Sequence, residues 1–183
     1  MNYAEIKSCD IANGPGVRVS LFVSGCTHRC KNCFNKETWD FGYGVPFTEE
    51  VCERIFNECS PDYITGLTIL GGEPLEPQNQ RGLYGFLTEF KKRYPLKTLW
   101  CYSGYTYEQL TDKNEKRCHI DITDNILKMI DVLVDGEFVD ELKDITLRFK
   151  GSSNQRIIDM NKTRENREVV LWEDNPVFST HIM

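Results

Sequence analysis

Val17-Arg18-Val19-Ser20-Leu21-Phe22-Val23-Ser24 alternates apolar and polar positions, the period-two signature of a strand, and runs directly into a cysteine-rich loop. Thr48 reads as a helix N-cap, with Glu49 and Glu50 in the first turn and Val51, Ile55, Phe56 and Cys59 as the apolar stripe. Leu67-Thr68-Ile69-Leu70 predicts a second strand, ending at Gly71-Gly72. Leu83, Phe86, Leu87 and Phe90 recur at helical spacing, so the spacing predicts an amphipathic helix from about Gln80 to Arg93, closed by Tyr94-Pro95. Lys97 to Tyr102 predicts a third strand, and a helix carrying Ile126, Leu127 and Ile130 precedes a fourth, Val132-Leu133-Val134. Val169 to Trp172 adds a late strand at an edge.

Strands alternating with helices in this way imply βαβ units and a parallel sheet. About four to six such units fall short of the eight that close a barrel. The expected fold class is therefore α/β, an open partial (βα)-type barrel with a mainly parallel sheet, formed by residues 1–183 as a single domain. In such sheets ligands gather beyond the C-terminal strand ends. The cysteine loop, Gly71-Gly72-Glu73, Tyr102-Ser103-Gly104 and Asp135-Gly136 all follow predicted strands and should share one rim.

Composition narrows the function classes. With 40% apolar and 27% charged residues in a chain of 183, the protein reads as one soluble globular domain. A net charge of −6 argues against a general grip on nucleic acid. No apolar run is long enough to span a membrane, and Met1-Asn2-Tyr3-Ala4-Glu5-Ile6-Lys7 has no signal-peptide core, so a cytoplasmic location is expected. Eight cysteines then point to free thiols and metal ligation rather than disulfides. Cys9, Cys52, Cys59, Cys101 and Cys118 are scattered and read as small buried hydrophobes.

Cys26, Cys30 and Cys33 differ, because their C-x3-C-x2-C spacing lets three thiolates converge on one cofactor. Three is one short of the four that usually fill a [4Fe–4S] cluster, which would leave one iron open to a small molecule. The alternative is a structural zinc site, needing a fourth ligand such as His28. His28 itself reads as a solvated loop position, and with Arg29 and Lys31 it makes the loop basic. Glycines at 71 and 72 permit close backbone approach, and strand-end carbonyls with Glu73 could receive an ammonium group.

Cys-x3-Cys-x2-Cys followed by Gly71-Gly72-Glu73-Pro74 resembles the radical S-adenosylmethionine (SAM) superfamily. Asn13-Gly14-Pro15-Gly16-Val17-Arg18, Pro77-Gln78-Asn79, Tyr102-Ser103-Gly104-Tyr105 and Gly151-Ser152-Ser153-Asn154-Gln155-Arg156 resemble, more narrowly, the activases of anaerobic (class III) ribonucleotide reductase. The resemblance implies a radical SAM-like fold, with a [4Fe–4S] cluster on Cys26, Cys30 and Cys33 and SAM on its unique iron. It implies that Asn32, Cys33 and Phe34 lie along the adenine end, and that Gly71, Gly72 and Glu73 receive the methionine amine. Tyr102, Ser103 and Asp135 become ribose or carboxylate neighbours. Asn13 and Gly14 would line the site from the N-terminal loop or form a plain turn. Asn154, Gln155 and Arg156 would form a packing or docking element. The implied activity is that of a glycyl-radical activase like the one serving formate C-acetyltransferase. It would act on the large subunit of an anaerobic ribonucleoside-triphosphate reductase, with an external electron donor such as flavodoxin.

Two departures stand out. Relatives often carry glycine before the third cysteine, where Asn32 stands here, and many have Asp in place of Glu73. The tail from 157 to 183 matches poorly and has no assigned role. Two rivals remain open at this level: activation of another glycyl-radical enzyme such as pyruvate formate-lyase or a small-molecule radical SAM reaction, and a non-catalytic zinc or iron–sulfur module.

Overall fold

The computed structural model describes residues 1–174. Seven strands form one open sheet in the order β3-β1-β2-β4-β5-β6-β7. They are β1 (Asn2–Asp10), β2 (Val17–Val23), β3 (Val45–Pro46), β4 (Ile64–Gly71), β5 (Thr98–Tyr102), β6 (Val132–Asp135) and β7 (Arg156–Asp159). The helices are α1 (Glu49–Cys59), α2 (Pro77–Arg93), α3 (Tyr107–Thr111), α4 (Thr123–Met129) and α5 (Met160–Asn166). No helix among the described residues is long and apolar enough to cross a membrane.

The centre of the sheet is parallel. Val19, Leu21 and Val23 of β2 stand beside Leu67, Ile69 and Gly71 of β4, and β5 and β6 follow in the same sense. Because β2, β4, β5 and β6 succeed one another in space as in sequence, right-handed crossovers bring every connecting helix to the same face. Val19, Leu21, Leu67, Ile69, Leu99, Cys101 and Leu133 point to that face and bury Ile55, Phe56, Leu83, Phe90, Ile126 and Leu127 of the helices. The alternate residues face the other side, where Trp100, Val132 and Val134 pack with Tyr102, Phe149, Ile157 and Trp172. Three crossovers are present, fewer than the four to six units expected, because antiparallel strands complete both edges.

The predicted helices begin where local chemistry dictates. The Thr48 side chain accepts from the Val51 N–H at the start of α1. Helix α2 starts three residues before the expected Gln80, with Pro77 in its first turn, and it ends on Lys91, Lys92 and Arg93 against the negative end of the helix dipole.

Two parts of the chain depart from expectation. Strand β1 has only Tyr3 buried and Ile6 partly covered among its central apolar positions, too sparse a pattern to announce a strand, yet it pairs along β2. Residues 157–174 are an integral part of the sheet rather than an appendage. Strand β7 pairs antiparallel with β6, and the expected strand Val169–Trp172 is reduced to one bridge between Leu171 and Ile158. Trp172 packs edge-on against Trp100, with ring centres 5.2 Å apart. The rest of the tail lies outside the described residues.

Candidate metal centre and adjoining cavity

The loop Ser24 to Asn35 leaves the C-terminal end of β2 and is tied down from below by buried polar side chains. Asn79 of α2 is fully buried, and its amide donates to the carbonyls of Ser24, Gly25 and Glu73 at 3.0, 3.2 and 2.9 Å. Glu76, at the N-terminus of α2, accepts from both the N–H and the hydroxyl of Thr27 at 2.8 and 2.6 Å. The Gly72 N–H donates to Val23 O and the Glu73 N–H to Gly25 O, so the loop lies flat on the segment after β4. A Cβ at Gly72 would come within 2.7 Å of the Gly25 carbonyl. Gly72 is thus required by the approach of the cysteine loop itself, and Gly71, with φ of 110°, by the backbone of β2 at Val23.

Two non-glycine residues of the loop adopt left-handed backbone, Arg29 and Asn32, both with φ of 54°. Each stands immediately before a cysteine. Asparagine is the residue that best tolerates this conformation after glycine, so Asn32 meets the backbone demand that the resemblance assigned to a glycine. Its side chain also donates to Asp140 at 2.7 Å.

Cys26, Cys30 and Cys33 border one cavity of about 190 Å³, together with Gly71, Gly72, Glu73, Tyr102, Ser103, Trp39, Phe138 and Gln155. Asn32 and Phe34 instead border a neighbouring cavity of about 410 Å³, which shares Cys33, Asn35, Phe138 and Gln155 with the first. Burial and the nearby Glu73 charge push the Cys26 thiol up to about 12, and burial raises Cys30 as well. The protein alone therefore disfavours these thiolates, and a cationic metal is what would stabilise them.

His28 departs from the solvated position expected of it. Its side chain is 3% exposed and is gripped from both sides, Nε2 by Glu73 at 3.1 Å and Nδ1 by Glu137 at 2.6 Å, with Tyr105 against the ring. Burial works against its protonation, but the hydrogen bonds and charges of Glu73 and then Glu137 outweigh it and raise its pKa. Lys31 is likewise paired, with Glu141 at 2.6 Å. The expected basic character of the loop is thus largely cancelled by acids from neighbouring loops.

Glu73 is 1% exposed and holds four donors. Its Oε1 accepts from Leu75 N and Ser103 Oγ, and its Oε2 from Gly104 N and His28. Asp135 does not border the cavity. It accepts from Arg156 and from the Tyr107 N–H, fixing the start of α3. Gln155 donates to Gly136 O and accepts from Gly151 and Ser152 N–H, while Asn154 donates to Glu137 O. The Asn154-Gln155-Arg156 run therefore braces the rim from within the fold. Asn13 and Gly14 lie at the opposite, N-terminal end of β2. There Asn13 bonds Asp10, its carbonyl accepts from Thr68, and Gly14 packs on Arg18 and Trp100.

Sequence reasoning passed over Trp39, Asn79, Glu76 and Phe138. Asn79 lay in a motif already quoted, but its partners are 54 and 55 residues away.

The donor set fits a three-thiolate cluster. Both ring nitrogens of His28 are committed to carboxylates, so the loop offers three sulfurs and no free fourth ligand of its own. Among the described residues no three ligating side chains close around a single ion. A cubane asks something different, since each thiolate reaches its own iron. Trp39 borders the cavity, and its buried Nε1 has no hydrogen-bond partner among the described residues. An unmet buried donor costs about 1–3 kcal/mol, so a bound group accepting from it would recover that energy.

Comparison with known proteins agrees with this geometry. Residues 12–158 match the family model described as a 4Fe-4S single cluster domain. The chain is 42% identical over 159 residues to the anaerobic ribonucleoside-triphosphate reductase-activating protein of Pasteurella multocida, covering 86% of this chain and 96% of that one. The protein of the same name from Escherichia coli K12 is 39% identical over 157 residues, covering 85% and 96%. That of enterobacteria phage T4 is 38% identical over 157, covering 86% and 93%. The chain belongs to the family of anaerobic ribonucleoside-triphosphate reductase-activating proteins. The span matched by the 4Fe-4S model takes in the cysteine loop, the Gly71-Gly72-Glu73 segment and β7 as far as Ile158.

Proposed function

We propose that this protein is a cytoplasmic radical SAM activase, a single domain whose open sheet is the partial barrel of that superfamily. Cys26, Cys30 and Cys33 hold a [4Fe–4S] cluster, and SAM binds at its open iron. The observation that carries the reading is the incomplete donor set, three thiols on one cavity with His28 locked between Glu73 and Glu137.

When bound, the cluster would supply the one-electron reduction of SAM that glycyl-radical formation on a backbone glycine of the anaerobic ribonucleoside-triphosphate reductase large subunit requires. The chain's own residues position and exclude water. Gly71 and Gly72 form the wall where the methionine amine meets backbone, and the carboxylate of Glu73 is spent on holding that wall to Ser103, Gly104 and His28. Tyr102 and Ser103 border the cavity as neighbours of the SAM ribose or carboxylate. Cys33 joins the two cavities, so that Asn32 and Phe34 flank the adenine end. Asp135 acts indirectly, through Arg156 and α3. The electron comes from an external donor such as flavodoxin; neither nucleic acid nor a membrane takes part. The chemistry parallels that of the formate C-acetyltransferase activase.

The test is anaerobic reconstitution followed by reduction with dithionite. The reading expects 5′-deoxyadenosine from SAM and, with the reductase added, a glycyl-radical EPR signal. Stoichiometric zinc without sulfide would replace it with a structural module, and cleavage without a radical on the reductase would remove the assigned partner.

A further inference from the structure

The indole of Trp39 has no role in the reading above. It ends a 3-10 turn, Lys36–Trp39, that follows the cysteine loop directly. That turn is pinned at both ends. Thr38 bonds back to the Asn35 carbonyl through its N–H and hydroxyl at 3.1 and 2.7 Å. Gly25 N and Cys26 N donate to the carbonyls of Thr38 and Trp39 at 2.8 and 3.2 Å. Trp39 is therefore in register with the first cysteine, and its ring borders the cavity that all three cysteines share. Its Nε1 is buried with no acceptor among the described residues.

An indole N–H can only donate, unlike the Tyr102 hydroxyl, which also accepts. The Trp39 indole therefore calls for an acceptor. The nearby acids do not serve: Glu73 is filled by four donors, and Glu76 accepts from Thr27. Cluster sulfide and cysteinyl sulfur are anionic acceptors brought by the group itself. We propose that Trp39 Nε1–H donates a hydrogen bond to a sulfur of the cluster held by Cys26, Cys30 and Cys33, and thereby raises the cluster's reduction potential. This rests on the cluster reading. A donor to sulfur offsets negative charge and favours the reduced state. It matters here because two of the loop's three basic residues, His28 and Lys31, are already paired with carboxylates.

The experiment compares wild type with Trp39→Phe after anaerobic reconstitution. Equal iron and sulfide are expected in both. At a poise where half the wild-type cluster is reduced, the oxidised-to-reduced ratio of the variant should rise about three- to tenfold, roughly 30–60 mV for one electron. Pulsed EPR of reduced wild type labelled with indole-15N tryptophan should show a 15N coupling that the variant loses, and this second readout needs no variant to fold. A loaded wild type with no such coupling, or an unchanged ratio in a loaded variant, overturns the proposal alone. A wild type that takes up no iron and sulfide overturns the cluster reading with it.

Discussion

The two ends of the parallel sheet bury polar groups in opposite ways. At the N-terminal end of β2, Arg18 is fully buried, and among the described residues it makes no ion pair. Its Nε donates to Thr68 Oγ1 at 2.7 Å, Nη1 to Thr98 Oγ1 at 3.0 Å, and Nη2 to the carbonyls of Leu67 and Thr98 at 2.9 Å. Burial lowers its pKa to about 10, so it stays charged, lying over the Trp100 ring. Every nitrogen is met by protein, and nothing remains for a ligand. At the C-terminal end, Glu73, Glu76 and Asn79 are just as buried, but the Trp39 indole N–H beside the three cysteines has no partner among the described residues. A saturated polar cluster serves the fold alone; a buried donor left unmet beside three thiols leaves room for a ligand.

Substitutions at four positions sharpen or break that contrast. Cys26→Ala should act all-or-none, taking iron from about four per chain to near zero while the apoprotein keeps its fold, as read by metal analysis and circular dichroism. Retention of iron would show that the rim is not the metal site. Arg18→Met should cost roughly 3 kcal/mol or more in denaturant unfolding, because several buried acceptors lose a charged donor at once, while cluster loading in folded protein is unaffected. Loss of loading at full stability would break the division between the ends.

Glu73→Gln stands between these classes. It exchanges an acceptor for a donor opposite Gly104 or Ser103, for about 1–3 kcal/mol of stability. Cluster retention and SAM binding should weaken together, since the carboxylate holds the cysteine loop through His28. Weakened SAM binding with intact loading would restore a direct role for Glu73. The smallest effect is expected at Asn32. Asn32→Gly should load normally and shift stability by only a few tenths of a kcal/mol, whereas Asn32→Val should lose about 1–2 kcal/mol in the left-handed backbone. Equal behaviour of the two would mean that the loop changes conformation on loading.

Much of this was legible in the residues. The alternation through β2 and the stripes of α1 and α2 carry strong local signals, and the rim followed from strand ends alone. What could not be read was set by distance. His28 has acids at positions 45 and 109 residues away, and nothing local announces them. Five scattered cysteines read as core, yet Cys9 is exposed and Cys52 half-buried; β1 buries only Tyr3 and Asp10. Asn13-Gly14 shares a motif with the site's family but serves Arg18 at the other end. Strand β7 was hidden because Arg156-Ile157-Ile158-Asp159 is too short to show a period.

The double grip on His28 makes the cysteine loop, the turn after β4 and the turn after β6 move as one piece. Any adjustment that seats the metal must pull Glu73 and Glu137 along, so the event at the sulfurs is felt across the whole mouth of the protein. Slower amide exchange around Gly104 and Gly136 on loading would be the mechanical trace of that linkage.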